Sequence, residues 1–147
     1  VRTDEEWAQL LQRAEEDRVQ RALTGRSEPV SRSYVLHMDA ASAAHSAKQR
    51  SNAGVAADSV PAEFIDDTLG FNPEWVVDRI SPRPVTIIAC DRDSVVPPAE
   101  SIRLYEAARD PKRLVMLKGY DHYDIYAGPA FDATMAEALA LFNSTFK

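Results

Sequence analysis

Cysteine pairs, long apolar runs and an excess of positive charge are all missing from this sequence. The single cysteine, Cys90, cannot form an internal disulfide and leaves no CxxC pair for a metal ion, so nothing marks an oxidising compartment. No apolar stretch approaches the length of about 18 residues that a membrane span needs, and the N-terminal VRTDEEW is acidic, unlike a signal peptide. We therefore expect a soluble, cytoplasmic protein without a membrane partner.

Acidic side chains outnumber basic ones by 23 to 17, which gives a formal net charge of -6. This balance gives no excess of positive charge to attract a polyanion, so we expect no nucleic-acid partner. The hydrophobic share of 45% and the length of 147 residues are those of a folded globular domain with a core. The first residue is valine, which indicates either a removed start or tag, or a chain that begins within a larger gene product.

Residues 1–69 are predicted to form a helical segment. Thr3 and Glu6 have the spacing of a capping box, in which each side chain satisfies a free backbone N–H of the first helical turn. Apolar residues then recur at steps of three and four as far as Gly25, while charged residues fill the opposite face. We predict an amphipathic helix between the capping box and the glycine.

The remainder of this segment is poor in apolar residues. Residues 24–58 are rich in Ser, Ala, Arg and Asn, and their compact apolar patch is confined to residues 34–38. Asp39 is predicted to cap a short helix that runs through Arg50, and a further helix is predicted over residues 59–70. For residues 24–58 the expectation is a loop-rich cap, not a core.

Residues 70–147 alternate between predicted helices and strands. In order, we predict a helix from Asn72-Pro73, a strand over Val85–Cys90, a helix over 100–108, a strand over 114–117, a loop over 119–126 and a helix over 131–146. Both strands are short apolar runs without polar alternation, which is typical of parallel strands buried on both faces. The last helix keeps one continuous apolar face with a period of 3.6 residues. This alternation indicates α/β architecture.

Two strands are too few for such a sheet to stand alone. A two-stranded parallel unit leaves both edges unpaired and buries little apolar surface. We therefore expect the sheet to be completed by another polypeptide or by a missing N-terminal half, and we expect a homo- or hetero-oligomer rather than a free monomer.

Candidate functional residues follow the two predicted strands, because side chains at the carboxyl ends of parallel strands form the sites of open α/β sheets. Residues 87–97, with Asp93 and Val96-Pro97, resemble the G-x-x-D-x-x-V-P turn of α/β-hydrolases, which holds the acid of their catalytic triad. Gly119-x-x-His122 resembles the histidine loop of the same family. Residues 71–84 are similar to the corresponding segment of dienelactone-hydrolase-like and acyl-peptidase-like members. The resemblance covers residues 70–147, and residues 1–69 resemble the family's helical cap only loosely.

The resemblance implies that Asp93 is the triad acid and His122 the triad base. Two residues depart from the family pattern: Cys90 occupies a position that is usually glycine, and Asp121 one that is often glycine. The sequence contains no G-x-S-x-G, the elbow that presents the nucleophilic serine. In this fold the serine precedes the acid and the histidine, so the resemblance implies a nucleophile upstream of Val1.

The first functional hypothesis is therefore the C-terminal part of a serine hydrolase of ester, thioester, lactone or peptide-like bonds. It would act on a small-molecule acyl substrate without a cofactor, and an N-terminal hydrolase half would supply the serine. A second hypothesis is a non-catalytic remnant that serves as an interaction or scaffold module. A third is an acyltransferase with the same triad, in which a nucleophile other than water reaches the acyl-enzyme.

Several residues keep competing interpretations. Asp91 is the alternative acid, while His37 and His45 fall in the cap and are expected to be polar surface residues. A metal site among the acidic residues of the two loops has no supporting ligand spacing, so we expect no metal. Val95 and Tyr123 are hypothesised to line the substrate pocket.

Overall fold

The computed structural model describes residues 2–36, 38–53 and 58–146, and the chain forms two compact units, Val1–Phe71 and Asn72–Lys147. The elements of the first unit are α1 (Asp4–Thr24), β1 (Pro29–Ser31), α2 (Arg32–Val35), α3 (Ala40–Ala53), β2 (Ser59–Pro61) and α4 (Phe64–Gly70). Those of the second are β3 (Val85–Cys90), α5 (Pro98–Ala107), β4 (Lys112–Leu117) and α6 (Gly128–Thr145), with three 3₁₀ helices at Pro73–Trp75, Val77–Ile80 and His122–Tyr126. Among the helices of the described residues, none is long and apolar enough to cross a membrane.

The boundaries of α1 are those that its capping residues predict. The Glu6 N–H donates to Thr3 Oγ1 over 3.2 Å, and the Thr3 N–H donates to Glu6 Oε2 over 2.7 Å. At the other end, Gly25 adopts a left-handed conformation with φ 70°, which lets its N–H reach the carbonyl of Arg21. The predicted first helix is therefore confirmed at both ends.

The first unit has a core, and residues 24–58, which were predicted to be a loop-rich cap and not a core, contribute Val35 to it. Its buried residues come from α1, α2, α4 and the segment before α4, and they are Leu10, Ala14, Val35, Ala62 and Ile65. The prediction failed because β1 and β2, which are far apart in the sequence, pair as antiparallel strands with Val30 opposite Val60. This pairing places both valines against the buried cluster.

The prediction of a helix from residue 59 is also corrected. Residues 59–61 form β2, and α4 begins only at Phe64. Val60 precedes Pro61, and the proline ring disfavours the helical conformation of the residue before it, which explains the extended backbone. By contrast, the predicted cap of α3 is present, since the Ser42 N–H donates to Asp39 Oδ1 over 2.7 Å.

A buried polar network joins α1 to the chain around α4. The Asp17 carboxylate, only 1% exposed, accepts hydrogen bonds from Arg21 Nε and from Ser27 Oγ, both over 2.7 Å. The Ser27 hydroxyl in turn accepts the Glu63 N–H over 3.0 Å, and Arg21 also pairs with Asp66 over 2.8 Å. The network therefore links segments that the sequence separates by about 40 residues.

The second unit is built on a two-stranded parallel sheet. β3 and β4 pair from Val85 opposite Lys112 to Cys90 opposite Leu117, and α5 forms the crossover between them. Both strands and α6 lie where the sequence pattern predicts them. The helix predicted from Asn72 is instead two 3₁₀ helices that break at Val76, and the predicted loop over 119–126 contains a third.

The strands of this sheet are less buried than the sequence predicts. Every residue of β3 except Cys90 is only half-buried, and large apolar side chains of α6, such as Leu139 and Phe142, remain more than half exposed. Within the described residues, β4 is the strand that pairs with β3, and helices α5 and α6 both contact β3. A sheet of only two strands leaves its edges unpaired and offers little surface for helices to pack on. This accounts for the difference between the predicted and the observed burial.

Candidate active site

The loops that follow β3 and β4 start side by side because the two parallel strands end in register, at Cys90 and Leu117. Backbone hydrogen bonds continue beyond the strands, from the Asp91 N–H to the Leu117 carbonyl over 3.0 Å and from the Arg92 N–H to the Tyr120 carbonyl over 3.1 Å. We name residues 91–97 the acid loop and residues 118–124 the histidine loop. The geometry of the site is set by how these two loops are joined.

Asp93 presents its two carboxylate oxygens to different partners. Oδ1 accepts the backbone N–H groups of Val95, over 2.9 Å, and Val96, over 2.7 Å, in a turn closed by the side chain. Oδ2 lies 2.9 Å from Nδ1 of His122. Because the two amides fix one oxygen, the other oxygen is held towards the histidine.

His122 begins the 3₁₀ helix of the histidine loop, and its side chain is 23% exposed. With Nδ1 bound to Asp93, the neutral ring carries its proton on Nδ1 and offers Nε2 as a proton acceptor. The ring of Tyr123 meets the imidazole edge-on, with centroids 4.9 Å apart and an interplanar angle of 83°. The carboxylate and the aromatic ring therefore both restrict the orientation of the imidazole.

Asp91, the alternative acid, contacts other groups. Its Oδ1 accepts the Gly119 N–H over 2.6 Å, and its Oδ2 lies 3.7 Å from Lys118 Nζ. The carboxylate that the structure brings to His122 is thus Asp93, while Asp91 fastens the start of the histidine loop to the acid loop.

Asp121, which departs from the glycine of the family pattern, forms a further connection between the two loops. Its carboxylate accepts the Ser94 N–H over 2.8 Å, the Ser94 hydroxyl over 3.0 Å and the His122 N–H over 2.7 Å. The hydrogen bond from the Ser94 N–H, followed by that from the His122 N–H, lowers the pKa of Asp121 below its ordinary value. Ser94 itself carried no signal in the sequence, because its partner lies 27 residues away.

Cys90 ends β3 directly beneath the site, and its thiol is buried, with an exposure of 2%. Burial raises the pKa of the Cys90 thiol, and the nearby carboxylate of Asp93 raises it further. The thiol therefore remains protonated near neutral pH and does not have the thiolate character of a nucleophilic cysteine.

The remaining candidates have these positions. Val95, two residues after Asp93, has an exposure of 36%, and the ring of Tyr123 contacts that of His122. That these two residues line a substrate pocket stays a prediction. His45 lies on α3 in the first unit, whereas His37 falls outside the described residues. In the described part of the chain, no group of three or more His, Cys, Asp or Glu side chains is arranged to hold a metal ion.

Comparison with known proteins gives matches in structure and none in sequence. No protein-family model matches this chain, and no curated protein matches it. The α/β-hydrolase GrgF from Penicillium sp. sh18 superposes on 96% of the chain with a TM-score of 0.71 and 20% identity, and the match covers 50% of GrgF.

Two further solved structures give the same result. DcsB, in a complex with its substrate analogue, matches 97% of this chain with a TM-score of 0.74 and 12% identity, over 52% of its own length. The monoacylglycerol lipase of Paleococcus ferrophilus matches 88% with a TM-score of 0.59 and 19% identity, over 51% of its length. This chain therefore spans about half the length of the structures that it matches.

These matches confirm the resemblance that the acid and histidine loops indicated, at the level of the fold. The chain has a partial α/β-hydrolase fold, consistent with the C-terminal half of that fold.

Proposed function

We propose that this chain supplies the acid and the base of a serine-type α/β-hydrolase that acts on a small-molecule acyl substrate. The observation that carries the proposal is the 2.9 Å contact between Asp93 Oδ2 and His122 Nδ1 at the carboxyl ends of β3 and β4. That edge of the sheet is where α/β folds place their functional groups. The similarity to hydrolases of known structure supports the same reaction class.

In the proposed mechanism, Nε2 of His122 takes the proton of a serine hydroxyl while the serine oxygen attacks the acyl carbon. The imidazolium then gives this proton to the leaving group, and a water molecule, activated by the same nitrogen, hydrolyses the acyl-enzyme. Asp93 remains a carboxylate throughout, holds the ring in the Nδ1–H tautomer and stabilises its positive charge.

The serine and the oxyanion-hole donors belong, in this proposal, to the part of the hydrolase fold that this chain does not cover. The absence of a G-x-S-x-G from the sequence supports this assignment, as do the half-buried strand β3 and the exposed apolar residues of α6. The same part of the fold would complete the sheet, and Val95 and Tyr123 would border the acyl pocket.

The substitution Asp93→Asn tests the assignment of the acid. The asparagine carbonyl can still accept the N–H groups of Val95 and Val96, which turns its NH₂ group towards Nδ1 of His122. Nδ1 must then accept a hydrogen bond, so the proton moves to Nε2 and the base cannot receive the serine proton. By the precedent of other triads we expect kcat for a p-nitrophenyl ester to fall about 10⁴-fold.

The matched control is Asp132→Asn, which removes an exposed carboxylate of α6 outside the two loops. We expect this control to keep the kcat of the original protein. A kcat for Asp93→Asn within a few-fold of that value would reject Asp93 as the triad acid. The original protein is purified together with any polypeptide that it binds. If this preparation has no esterase activity, the hypothesis of a non-catalytic remnant is favoured.

A further inference from the structure

One oxygen atom of Asp121 contacts both loops of the proposed active site. Oδ1 lies 2.8 Å from the Ser94 nitrogen and 2.7 Å from the His122 nitrogen, and the Ser94 hydroxyl adds a third donor at 3.0 Å. Ser94 directly follows Asp93 in the acid loop. The two backbone segments that carry the acid and the base are therefore held together through this one carboxylate.

The backbone of Asp121 is held in place by the turn that begins the histidine helix. The Asp121 N–H donates to Asp124 Oδ2 over 2.8 Å, and the two side chains form a capping box at the start of the 3₁₀ helix of His122. Asp121 therefore cannot follow a movement of Ser94 without disturbing the turn that presents the histidine. Since hydrogen bonds to an ionised acceptor are about twice as strong as neutral ones, the link is a firm one.

The other connections between the loops lie nearer to the strands. Asp91 fastens Gly119, and the backbone bond of Arg92 reaches Tyr120, so both act before the histidine loop arrives at His122. The link through Asp121 contacts Ser94, the residue next to the proposed acid, and also contacts His122, the proposed base. Without it, the contact between Asp93 and His122 would be the link between the loops at this end, and the links of Asp91 and Arg92 would remain nearer to the strands.

We propose that Asp121 is a positioning residue whose carboxylate sets the separation of Asp93 and His122, a role in catalysis that rests on the proposed function. It contacts neither the substrate nor the reacting atoms in this proposal. The Asp121 carboxylate increases the fraction of molecules in which the imidazole is in the Nδ1–H tautomer with Nε2 directed at the serine.

The test compares Asp121→Ala with the conservative Asp121→Asn and with the control Asp132→Asn. Alanine removes the hydrogen bonds from Ser94 and His122 together with the Asp121 side chain's part of the capping box, whereas the asparagine carbonyl can still accept the N–H groups of Ser94 and His122. For Asp121→Ala we expect kcat to fall about 100-fold with little change in KM, the scale expected for a displacement of about 1 Å between reacting groups. Asp121→Asn should recover most of that loss, and Asp132→Asn should lose nothing.

A second readout does not depend on activity. The ¹⁵N chemical shifts of the His122 imidazole, assigned with a His122→Gln variant, report which ring nitrogen carries the proton. We expect the Nδ1–H pattern in the original protein and in Asp121→Asn, and a mixture shifted towards Nε2–H in Asp121→Ala. The melting temperature of each variant shows whether a change follows from general loss of stability.

The outcomes separate this proposal from the proposed function. If Asp121→Ala keeps both kcat and the Nδ1–H pattern, the positioning role is wrong. If kcat falls only in step with the melting temperature while the ¹⁵N shifts stay unchanged, Asp121 is merely structural and the proposal also fails. If the original protein is inactive but Asp121→Ala loses the Nδ1–H pattern, Asp121 positions His122 as proposed and only the hydrolase function is rejected.

Discussion

Asp17 shows how one buried side chain can depend on several partners. Its carboxylate is 1% exposed and is bound by the Arg21 guanidinium and the Ser27 hydroxyl. The hydrogen bond to Asp17 raises the pKa of Arg21 above its ordinary value, so the cation is present throughout the accessible pH range. Removing the carboxylate would leave the Ser27 hydroxyl and Arg21 Nε without this acceptor in a partly buried setting, while Arg21 would keep its pair with Asp66.

We therefore expect Asp17→Ala to lower the free energy of unfolding by about 1–3 kcal/mol, the cost of leaving a buried hydrogen-bonding group unsatisfied. Glu16→Ala is the control, because Glu16 is the exposed neighbour on the same helix, and its effect should stay within about 0.5 kcal/mol. Equilibrium unfolding in urea measures both variants. Equal effects of the two substitutions would show that the buried network does not stabilise the first unit.

At the scale of single residues, the sequence could predict part of the site but not all of it. Asp93 and His122 could be chosen as candidates because each lies in a short pattern next to a strand that is itself recognisable. The contacts of Asp121 could not be predicted, because its hydrogen bond with Ser94 spans 27 residues and depends on the register of β3 against β4. That register is a property of the folded sheet and leaves no mark within either loop.

At the scale of elements, local signals predicted some boundaries well and missed others. The capping box at Thr3 and the glycine at position 25 fixed α1, and the apolar runs of β3 and β4 were long enough to identify. β1 and β2 escaped prediction because each has three residues and finds its partner about 30 positions away. The core of the first unit escaped with them, since this pairing helps to assemble it.

Gly119 offers a test of how one turn positions the histidine loop. Its φ of 84° lies in the left-handed region, where a side chain is strained by about 1 kcal/mol, even though a Cβ added to this residue would meet no other atom within 4 Å. We expect Gly119→Ala to lower the free energy of unfolding by about this amount and to lower kcat, because relief of the strain must move the loop that leads to His122.

Gly70→Ala is the matched control for this substitution. Gly70 ends α4, has open space around it and does not adopt a positive φ. Alanine at position 70 should leave the free energy of unfolding unchanged or slightly higher, because alanine has a higher helix propensity than glycine. Equal destabilisation by both substitutions, in urea unfolding, would contradict a specific conformational demand at Gly119.

At the scale of the whole molecule, the second unit brings the Asp93 carboxylate and the His122 imidazole into contact, on a sheet whose strand β3 is mostly half-buried. The chain matches about half the length of hydrolase structures, and the apolar side chains of α6 that remain exposed are those of a helix with a strong apolar face. Both features agree with the proposal that further parts of a hydrolase fold cover this unit and supply the serine.

We propose that Asp93 and His122 activate a serine outside this sequence. The most direct measurement is the rate at which a fluorophosphonate probe labels the purified protein, followed by mass spectrometry to locate the labelled residue. We predict that the probe attaches to the serine of a G-x-S-x-G, on the same gene product or on a bound polypeptide, and that His122→Ala abolishes this labelling while His45→Gln preserves it. Labelling that His122→Ala leaves unchanged, or no labelled serine at all, would contradict the account.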